Sequence, residues 1–458
     1  MDDYNISFED VEAVILSEDE TSSDYAFLDQ AEVINVPSSG IFYDPVAGEY
    51  KTSVPYIRFR APETVLFTAD GEVTTDPAQA VHAKGAHQGN AVIAIRKKNQ
   101  TQTTKTVLWS WHIWITDGYD IDGDHFGDGL DPIPLKTNPN FSSVTTSNNV
   151  MPVNLGWIDS GGPVTFKDRV WYVRVHQVDD TAPPIVFKVV QHSQDERLPG
   201  SGTFYEWGRK DPFLPAVFYI SNTNRVSYKD RSFYSPAGYR TYQMYCVGNV
   251  SWTGDISTSI LCPYWWPYLP SDGYSWSKTR YINLWNMGAI NDTWDQHIYK
   301  TIYDPCPPRY CVPHFYAFAG FSELRNNGVP ASIYNSWNKT WSPGNQAQDR
   351  NEDGYLTSDD YYKEGGWYFN TGYEGQSLFL PMTGHRHFVN GGLQDCYRIN
   401  YASSGGYYWL GVLSSSGSVA GCSSFTDHNI WPALINQNNV ASWESQGYAV
   451  RAVEELSY

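Results

Sequence analysis

The chain has 458 residues, of which 41% are hydrophobic and 16% aromatic, whereas only 18% are charged. This composition is typical of a folded, strand-rich protein and excludes a disordered chain, and the length predicts about three domains. The formal net charge of −19 argues against a nucleic-acid backbone or an anionic membrane as a partner, because both would repel the chain. Neutral sugars, other proteins and cations remain as candidate partners.

The first 30 residues are acidic and contain a short apolar run at 14–16. We interpret residues 1–30 as an acidic linker or the end of an upstream domain. The start Met1-Asp2-Asp3 lacks the basic and apolar regions of a signal peptide, so we expect a form trimmed from a longer exported chain. No stretch of 18 apolar residues occurs, and we therefore expect no transmembrane helix.

Strand signals follow one another over residues 31–115. Runs rich in apolar residues alternate with turn-forming residues, and they lie at 32–36, 50–60, 64–68 and 90–97. Residues 90–97 and 105–115 predict a hairpin joined by a polar loop. We therefore predict a small antiparallel β-sandwich of pilin or immunoglobulin type over 31–115.

The strand at 107–115 has two different faces. One face is entirely apolar and carries Val107, Trp109, Trp111, Ile113 and Ile115. The other face is mixed, because Ser110 and His112 stand between apolar side chains. This alternation predicts a strand that lies between a core and a second packed surface, at a seam between two domains.

The next segment, residues 120–131, carries carboxylates at relative positions 1, 3, 5, 9 and 12, namely Asp120, Asp122, Asp124, Asp128 and Asp131. Carboxylates this close repel one another unless a hard divalent cation neutralises them. The spacing resembles that of acidic calcium loops, although His125 stands where a turn glycine is usual. We predict a calcium site here, with a solvated acidic loop as the alternative.

Beyond the acidic loop the pattern becomes irregular and rich in glycine and aromatic residues. Residues 116–458 therefore predict one large, loop-rich domain of α+β class, in which 170–175 and 185–190 form a strand pair. The chain as a whole is predicted to be mainly β with a large irregular content.

The densest aromatic cluster lies at 264–276. Sugar recognition needs flat apolar surface beside polar groups, and this cluster offers both. The candidate ligand-binding residues are Tyr264, Trp265, Trp266, Tyr268, Asp272, Tyr274 and Trp276. The alternative is that these aromatic side chains belong to the core.

Six cysteines all lie in the second half of the chain, and their spacing does not match a zinc ribbon. Proximity in sequence suggests up to three local disulfides, which would place the protein in an oxidising compartment. The pairs are Cys246 with Cys262, Cys306 with Cys311, and Cys396 with Cys422. Six cysteines allow fifteen connectivities, and buried reduced thiols are the alternative.

A second candidate calcium loop spans residues 349–360. Oxygen ligands stand at positions 1, 3, 5 and 12, with glycine at position 6 and a residue at position 7 that would bind through its carbonyl oxygen. The candidate ligands are Asp349, Asn351, Asp353, Tyr355 and Asp360. An Asx-rich surface turn is the alternative.

Motifs of enzymes are missing from the sequence. We find no Gly-x-Ser-x-Gly, no His-Glu-x-x-His and no phosphate-binding glycine loop, so we predict a protein that is not an enzyme. Abundant carboxylates leave a carbohydrate-active enzyme as a weaker alternative. Arg386 and Arg451 stand in apolar segments, and we expect both to be buried and hydrogen-bonded to carboxylates or carbonyls.

Seven segments in a fixed order carry a resemblance to a known family. They are residues 108–114 (LWSWHIW), 151–156 (MPVNLG), 205–213 (YEWGRKDPF), 300–307 (KTIYDPCP), 380–386 (LPMTGHR), 406–409 (GYYW) and 448–453 (YAVRAV). Together they resemble the fimbrial tip and minor-subunit proteins of Bacteroidetes. Those proteins join β-sandwich pilin modules to a FISUMP (Fibrobacter succinogenes major paralogous) domain.

The resemblance implies a secreted, non-catalytic protein of the cell surface, at the distal end of a fimbrium outside the outer membrane. Its partners would be other pilin subunits and a glycan or protein ligand, bound through a C-terminal domain of C-type-lectin-like organisation. A structural pilus component that accepts or donates a strand is the alternative. Members of the family often carry cysteine where Ala452 stands, which makes Cys311 a substitute partner for Cys306.

Overall fold

A computed structural model gives the fold. It describes residues 11–18, 20–22, 25–26, 30–44, 49–60, 65–68, 73–75, 82–84, 89–98, 107–115, 132–136, 147–158, 164–166, 169–175, 185–191, 194–196, 202–214, 217–220, 226–229, 233–234, 240–241, 245–246, 263, 265–266, 283–287, 298–314, 317–318, 321–322, 324–325, 329–330, 333–334, 340–341, 345–346, 365–374, 376–387, 391–394, 405–413, 420–426, 430–434 and 446–455.

Within these ranges every regular element is a strand, so the prediction of a mainly β protein is confirmed at this level. No described helix is long and apolar enough to cross a membrane. The strands are β1 (Val11–Glu18), β2 (Glu20–Ser22), β3 (Tyr25–Ala26), β4 (Gln30–Asp44), β5 (Glu49–Arg60), β6 (Val65–Phe67), β7 (Val73–Thr74), β8 (His82–Lys84), β9 (Gly89–Lys97), β10 (Trp109–Ile115), β11 (Ile133–Lys136), β12 (Ser147–Val150), β13 (Val164–Phe166), β14 (Arg169–Val175), β15 (Ile185–Gln191), β16 (Gln194–Glu196), β17 (Phe204–Tyr205), β18 (Val217–Ile220), β19 (Val226–Lys229), β20 (Phe233–Tyr234), β21 (Arg240–Thr241), β22 (Tyr245–Cys246), β23 (Trp265–Trp266), β24 (Tyr310–Cys311), β25 (Phe321–Ser322), β26 (Leu324–Arg325), β27 (Val329–Pro330), β28 (Ile333–Tyr334), β29 (Thr340–Trp341), β30 (Asn345–Gln346), β31 (Gly366–Asn370), β32 (Ser377–Pro381), β33 (His385–Arg386), β34 (Leu393–Gln394), β35 (Gly405–Leu413), β36 (Ala420–Thr426), β37 (Ile430–Leu434), β38 (Tyr448–Ala449) and β39 (Val453–Glu454).

The first sheet has the strand order β10-β9-β1-β20-β21. The predicted hairpin is confirmed, because β9 and β10 pair antiparallel with Trp111 opposite Ile93. On the far side of β9, β1 pairs antiparallel with a register shift near Ile15. Ala91 and Ile93 form a small buried core against which Ile15, Ile113 and Ile115 pack. Residues 1–30, interpreted above as a linker, therefore contribute a strand to this sheet.

A second and much larger core lies farther along the chain, between residues 135 and 453. Two sheets border it, with the orders β11-β12-β39-β24 and β17-β38-β35-β36-β37. Its interior is dominated by fully buried aromatic side chains, which remove the most apolar surface from water per residue. These include Tyr205, Trp207, Trp285, Tyr408, Trp409 and Tyr448.

The larger core closes around residues 446–455. In this segment, β38 pairs with both β17 and β35, and β39 pairs with both β12 and β24. Residues far apart in sequence are thus tied to one short stretch of backbone. The segment 448–453 consequently has the position of a central strand pair, and all of its side chains are buried.

Two buried arginines donate to backbone carbonyl oxygens in the neighbourhood of this segment, as the sequence predicts. The guanidinium of Arg451 donates from Nε to Asn154 Oδ1 at 2.9 Å, and its other nitrogens donate to the carbonyl oxygens of Met151, Pro152 and Phe379. Arg386 donates to the carbonyl oxygens of two further residues, Leu214 and Gly391. The expectation that both arginines are buried and hydrogen-bonded is confirmed, and of the two predicted kinds of acceptor the structure shows carbonyl oxygens.

The predicted strand pair after residue 169 is also confirmed. β14 and β15 pair antiparallel in continuous register, from Arg169 opposite Gln191 to Val175 opposite Ile185. Among the described residues they form a two-stranded sheet of their own, which we call the ribbon.

Candidate functional site

Strand β10 lies between the two cores, as its sequence predicts. Ile113 and Ile115 pack against the small core, whereas Trp114 packs against the larger one. The indole of Trp114 donates to the carbonyl oxygen of Trp157 at 2.9 Å. Ser110 and His112, which share a face with Trp114, meet polar groups of the larger core, and we call this set of contacts the polar seam.

One half of the polar seam is a chain of hydrogen bonds through His112. The amide nitrogen of Asn90 donates to Gly156 O at 2.9 Å, so its oxygen is the acceptor that faces His112 Nε2 at 2.9 Å. Nε2 therefore carries the ring proton. Nδ1 then accepts from the hydroxyl of Tyr205 at 3.3 Å, and Thr203 Oγ1, which donates to the carbonyl oxygen of Leu155 at 2.9 Å, lies 3.0 Å from that hydroxyl.

Burial lowers the pKa of His112 to about 4, although the carboxylate of Asp211 opposes the shift. The hydrogen-bond chain has the same consequence, because a second ring proton on Nδ1 would meet the Tyr205 hydroxyl proton. His112 is thus a neutral link between β9, β10 and the larger core at neutral pH.

Gly156, whose carbonyl oxygen accepts from Asn90, has to be a glycine because neighbouring side chains lie close to its backbone. Its φ is +69°, and a Cβ atom there would lie 2.4 Å from the side chain of Thr203 and 2.8 Å from Asn90 Oδ1. Any other residue would push the two hydrogen-bonding side chains apart.

The other half of the polar seam joins Ser110, Lys210 and Asp211. Lys210 Nζ lies 2.6 Å from Ser110 Oγ and 2.8 Å from both carboxylate oxygens of Asp211. It also donates to the carbonyl oxygen of Ser110 at 2.9 Å and lies 4.5 Å from the ring centre of Trp109. Ser110 Oγ donates to Asp211 Oδ1 at 2.8 Å. Burial lowers the pKa of Lys210, and Asp211 opposes the shift.

A serine beside a lysine is also the pair that some hydrolases use, so its chemistry has to be considered. Here the Ser110 hydroxyl donates its proton to Asp211, and the Lys210 ammonium is directed at Ser110 and the carboxylate. All three residues are buried, with exposed fractions of 2%, 9% and 1%. Neither a free lysine base nor access for a substrate exists in this arrangement, and the three groups act as a polar latch between the cores.

The segment 205–213 supplies a second buried ion pair. Arg209 Nη1 lies 3.0 Å from Glu206 Oε2, and its guanidinium carbon lies 4.0 Å from the ring centre of Phe213. Burial raises the pKa of Glu206 to about 8, and Arg209 opposes that shift. Gly208 stands between them with φ +86°, where a Cβ atom would lie 2.5 Å from Leu284. The turn therefore requires glycine.

The segment 300–312 holds the two cysteines whose side chains the structure describes. Cys306 and Cys311 are buried, and both are free thiols in this structure. Asp304 accepts from the backbone nitrogens of Cys306 at 2.8 Å and Val312 at 3.1 Å, and burial raises its pKa to about 6. Burial also raises the pKa of both thiols, so neither is a thiolate at neutral pH. Their disulfide stays a prediction.

The remaining predicted site residues fall largely outside the described side chains. Both acidic loops, 120–131 and 349–360, lie outside them, as do Cys262, Cys396, Tyr264, Tyr268, Asp272, Tyr274 and Trp276. For Trp265, Cys246 and Cys422 only the strand backbone is described. Trp266 is fully buried, with its ring centre 4.6 Å from that of Phe213. The described residues contain no group of three metal-ligating side chains.

The latch residues Lys210 and Asp211 do not follow from the sequence as a site. The available signal is the pair of polar residues, Ser110 and His112, on one face of an otherwise apolar strand, because a buried polar side chain needs a partner. The partner itself, about 100 residues away, leaves no local signal. No protein-family model, no curated protein and no solved structure matches the chain.

Proposed function

We propose that the protein is a surface-displayed fimbrial tip or minor subunit that acts in adhesion. Its C-terminal region, residues 116–458, would bind a glycan or protein ligand, and calcium would stabilise the two acidic loops. An N-terminal pilin-type sandwich would attach it to other pilin subunits at the exterior of the outer membrane. This proposal rests on the resemblance of seven segments to the fimbrial family.

The observation that carries the proposal is that these seven segments contact one another. Segment 108–114 meets segment 205–213 through Ser110 and Asp211, and segment 300–307 through the rings of Trp109 and Tyr303, 6.2 Å apart. Segment 205–213 pairs with segment 448–453, where Tyr205 lies opposite Tyr448.

The remaining segments join the same network. Segment 151–156 binds segment 448–453 through two backbone hydrogen bonds, from Met151 N to Ala452 O and from Leu155 N to Val450 O, both 2.9 Å. Segment 406–409 binds segment 380–386, because the Tyr408 hydroxyl donates to Pro381 O at 2.7 Å. Segments that are scattered in sequence but contiguous in space are expected of one inherited domain, and this agreement supports the proposal.

The described polar groups also suit a role in recognition. The buried ionisable side chains of the seam and of segment 205–213 are engaged with one another. Such groups hold two cores in a fixed relation. A rigid connection of this kind suits a protein that transmits force between a ligand and a fibre.

The test is a ligand screen with the purified chain in the presence of calcium. We expect the labelled protein to bind a subset of glycans on a broad array, or a host or microbial surface protein in a cell-adhesion assay. Replacement of Trp265 and Trp276 by alanine should remove glycan binding if the aromatic cluster is the site. Exposed Tyr373, which lies outside that cluster, gives the control variant Tyr373→Ala. Absence of any ligand across both panels would contradict the adhesion proposal.

A further inference from the structure

The turn between Cys306 and Cys311 brings these two thiols opposite each other. The backbone nitrogen of Tyr310 donates to the carbonyl oxygen of Pro307 at 3.1 Å, which closes a β-turn between the cysteines. Residues that flank a closed turn face each other with Cα atoms about 4.5–5.5 Å apart, and a disulfide spans about 4.4–6.8 Å between Cα atoms. The two thiols are therefore within reach of a single covalent bond.

The backbone of this turn is strained at Arg309. Its φ is +74°, in the left-handed region that favours glycine. Arg309 is the third residue of the turn and follows Pro308, as in a type II turn, where this position normally carries glycine or asparagine. A bulky residue in this region persists only where the surrounding structure holds it. The conformation of the turn therefore depends on its neighbours.

Two charged side chains hold the turn in place. The ammonium of Lys300 donates to the carbonyl oxygens of Cys306, Pro307 and Tyr310, at 2.5, 2.8 and 2.7 Å. The carboxylate of Asp304 accepts from backbone nitrogens on both sides of the turn. One cation and one anion thus keep the two ends of the turn, and with them the two cysteines, close together.

The closed core shields both thiols from reagents. Cys306 and Cys311 belong to the larger core, with exposed fractions of 6% and 4%. Burial raises the pKa of both thiols, whereas thiol–disulfide exchange needs a thiolate that can reach the disulfide of the oxidant. A bond between the two cysteines therefore requires a local opening of the core.

The pairing of β24 with β39 is a short contact at the edge of this core. β24 is the edge strand of its sheet within the described residues, and Cys311 in this strand lies opposite Val453 in β39. The carboxylate of Glu454 links β39 to both sides, because it accepts from Asn149 Nδ2 at 2.6 Å and lies 3.4 Å from Arg309 Nη2. A two-residue pairing at an edge opens at a smaller free energy than the core as a whole.

We propose that Cys306 and Cys311 form a gated redox pair, which a small disulfide oxidises only while residues 453–455 are detached from β24. In the open state, the thiolate of one cysteine attacks oxidised glutathione and releases one reduced glutathione. The thiolate of the second cysteine then attacks this mixed disulfide and releases the second glutathione, so that two electrons and two protons pass to the oxidant. The return of residues 453–455 shields the new bond. This inference does not depend on the adhesion proposal, because it concerns the core and not a ligand.

Oxidation of the reduced full chain by glutathione disulfide, followed by mass spectrometry of tryptic peptides, tests the proposal. Trypsin cleaves after Lys300, Arg309 and Arg325, so the two cysteines fall into separate peptides, 301–309 and 310–325. A disulfide between the cysteines joins these two peptides. We expect the joined pair to form at least about 100-fold more slowly in the native chain than in the same chain opened in urea, because a buried thiol is scarcely ionised.

The gate has its own variant and a matched control. Glu454→Ala removes the side-chain links of β39 and should speed formation of the joined pair in the native chain about fivefold, the factor expected from the loss of one hydrogen bond. Glu374→Ala, which removes an exposed carboxylate elsewhere, should leave the rate unchanged. Thermal melts establish that both variants are folded.

The order of the two exchange steps can be tested with Cys306→Ser. On opening in urea, this variant should collect glutathione on Cys311 instead of forming a joined pair, because the second thiol is missing. Three results would overturn the proposal. They are equal oxidation rates in the native and the opened wild-type chain, equal rates in Glu454→Ala and Glu374→Ala, and an opened wild-type chain that joins either peptide mainly to one of the other four cysteines.

Discussion

The polar latch makes a quantitative prediction about stability. Lys210→Met removes the ammonium from Ser110 and Asp211 and leaves a buried carboxylate that still accepts from the Ser110 hydroxyl. Loss of one partner from a buried ion pair costs about 3–5 kcal/mol, because the other charge stays desolvated. We therefore expect Lys210→Met to lower the free energy of unfolding by about 3–5 kcal/mol.

The double variant Lys210→Met/Asp211→Leu should be less destabilised than Lys210→Met alone. It removes both charges together, and a pair of apolar side chains can replace a buried ion pair at little cost. In the double-mutant cycle, the double variant should therefore lose less free energy of unfolding than the two single variants lose together.

Chemical denaturation followed by tryptophan fluorescence and far-UV circular dichroism gives the measurement. The exposed ion pair Arg309–Glu454 at 3.4 Å, with Arg309 65% exposed, gives the control variant Arg309→Met, which should change stability by less than about 1 kcal/mol. Because the latch joins two cores, Lys210→Met should also split the unfolding transition in two. A loss no larger than that of the control, with one unchanged transition, would refute the latch.

Three further outcomes are expected. Because burial lowers the pKa of folded His112 to about 4, the folded state binds fewer protons than the unfolded state between about pH 4 and pH 6.5. The free energy of unfolding that depends on His112 should therefore fall by about 3 kcal/mol when the pH is lowered through this range. Thermal melts of the wild type and of His112→Asn isolate this contribution, and a constant difference between pH 4 and pH 7 would contradict the prediction. Arg451→Lys should cost about 3 kcal/mol in a thermal melt, since one ammonium cannot reach the acceptors on both segment 151–154 and Phe379; a change below 1 °C would show that the guanidinium is dispensable. Calcium should raise the melting temperature and EDTA lower it, and Asp122→Asn/Asp124→Asn should remove most of that response, whereas equal responses in both proteins would exclude the first loop.

The local sequence pattern was sufficient to predict single strands and the burial of single side chains. The alternation around Trp111 predicts strand β10 and its position at a seam, and apolar surroundings predict that Arg386 and Arg451 are buried. These features depend on the hydrophobic periodicity of a strand and on the rule that buried polar groups have hydrogen-bond partners, and both can be applied to about ten residues of sequence.

Long-range pairing was not predictable in the same way. Nothing in the acidic segment 1–30 indicates that Val11–Glu18 pairs with a strand about 80 residues later. Similarly, aromatic density around Trp266 does not show which ring faces inward, and the segment as a whole suits a sugar site or a core equally well. The latch and the packing of Trp266 are decided by tertiary contacts, which a local pattern does not contain.

The central position of residues 446–455 has a consequence for the order of events in folding. Strands near residues 150, 205, 310 and 408 all pair with this one segment, so each lacks a neighbouring strand until the segment has been synthesised. A nascent chain that has not yet delivered it leaves those apolar strands in water, exposed to non-native association. Such dependence on distant sequence slows folding, so a ribosome-bound chain would rely on chaperones until residue 455 emerges.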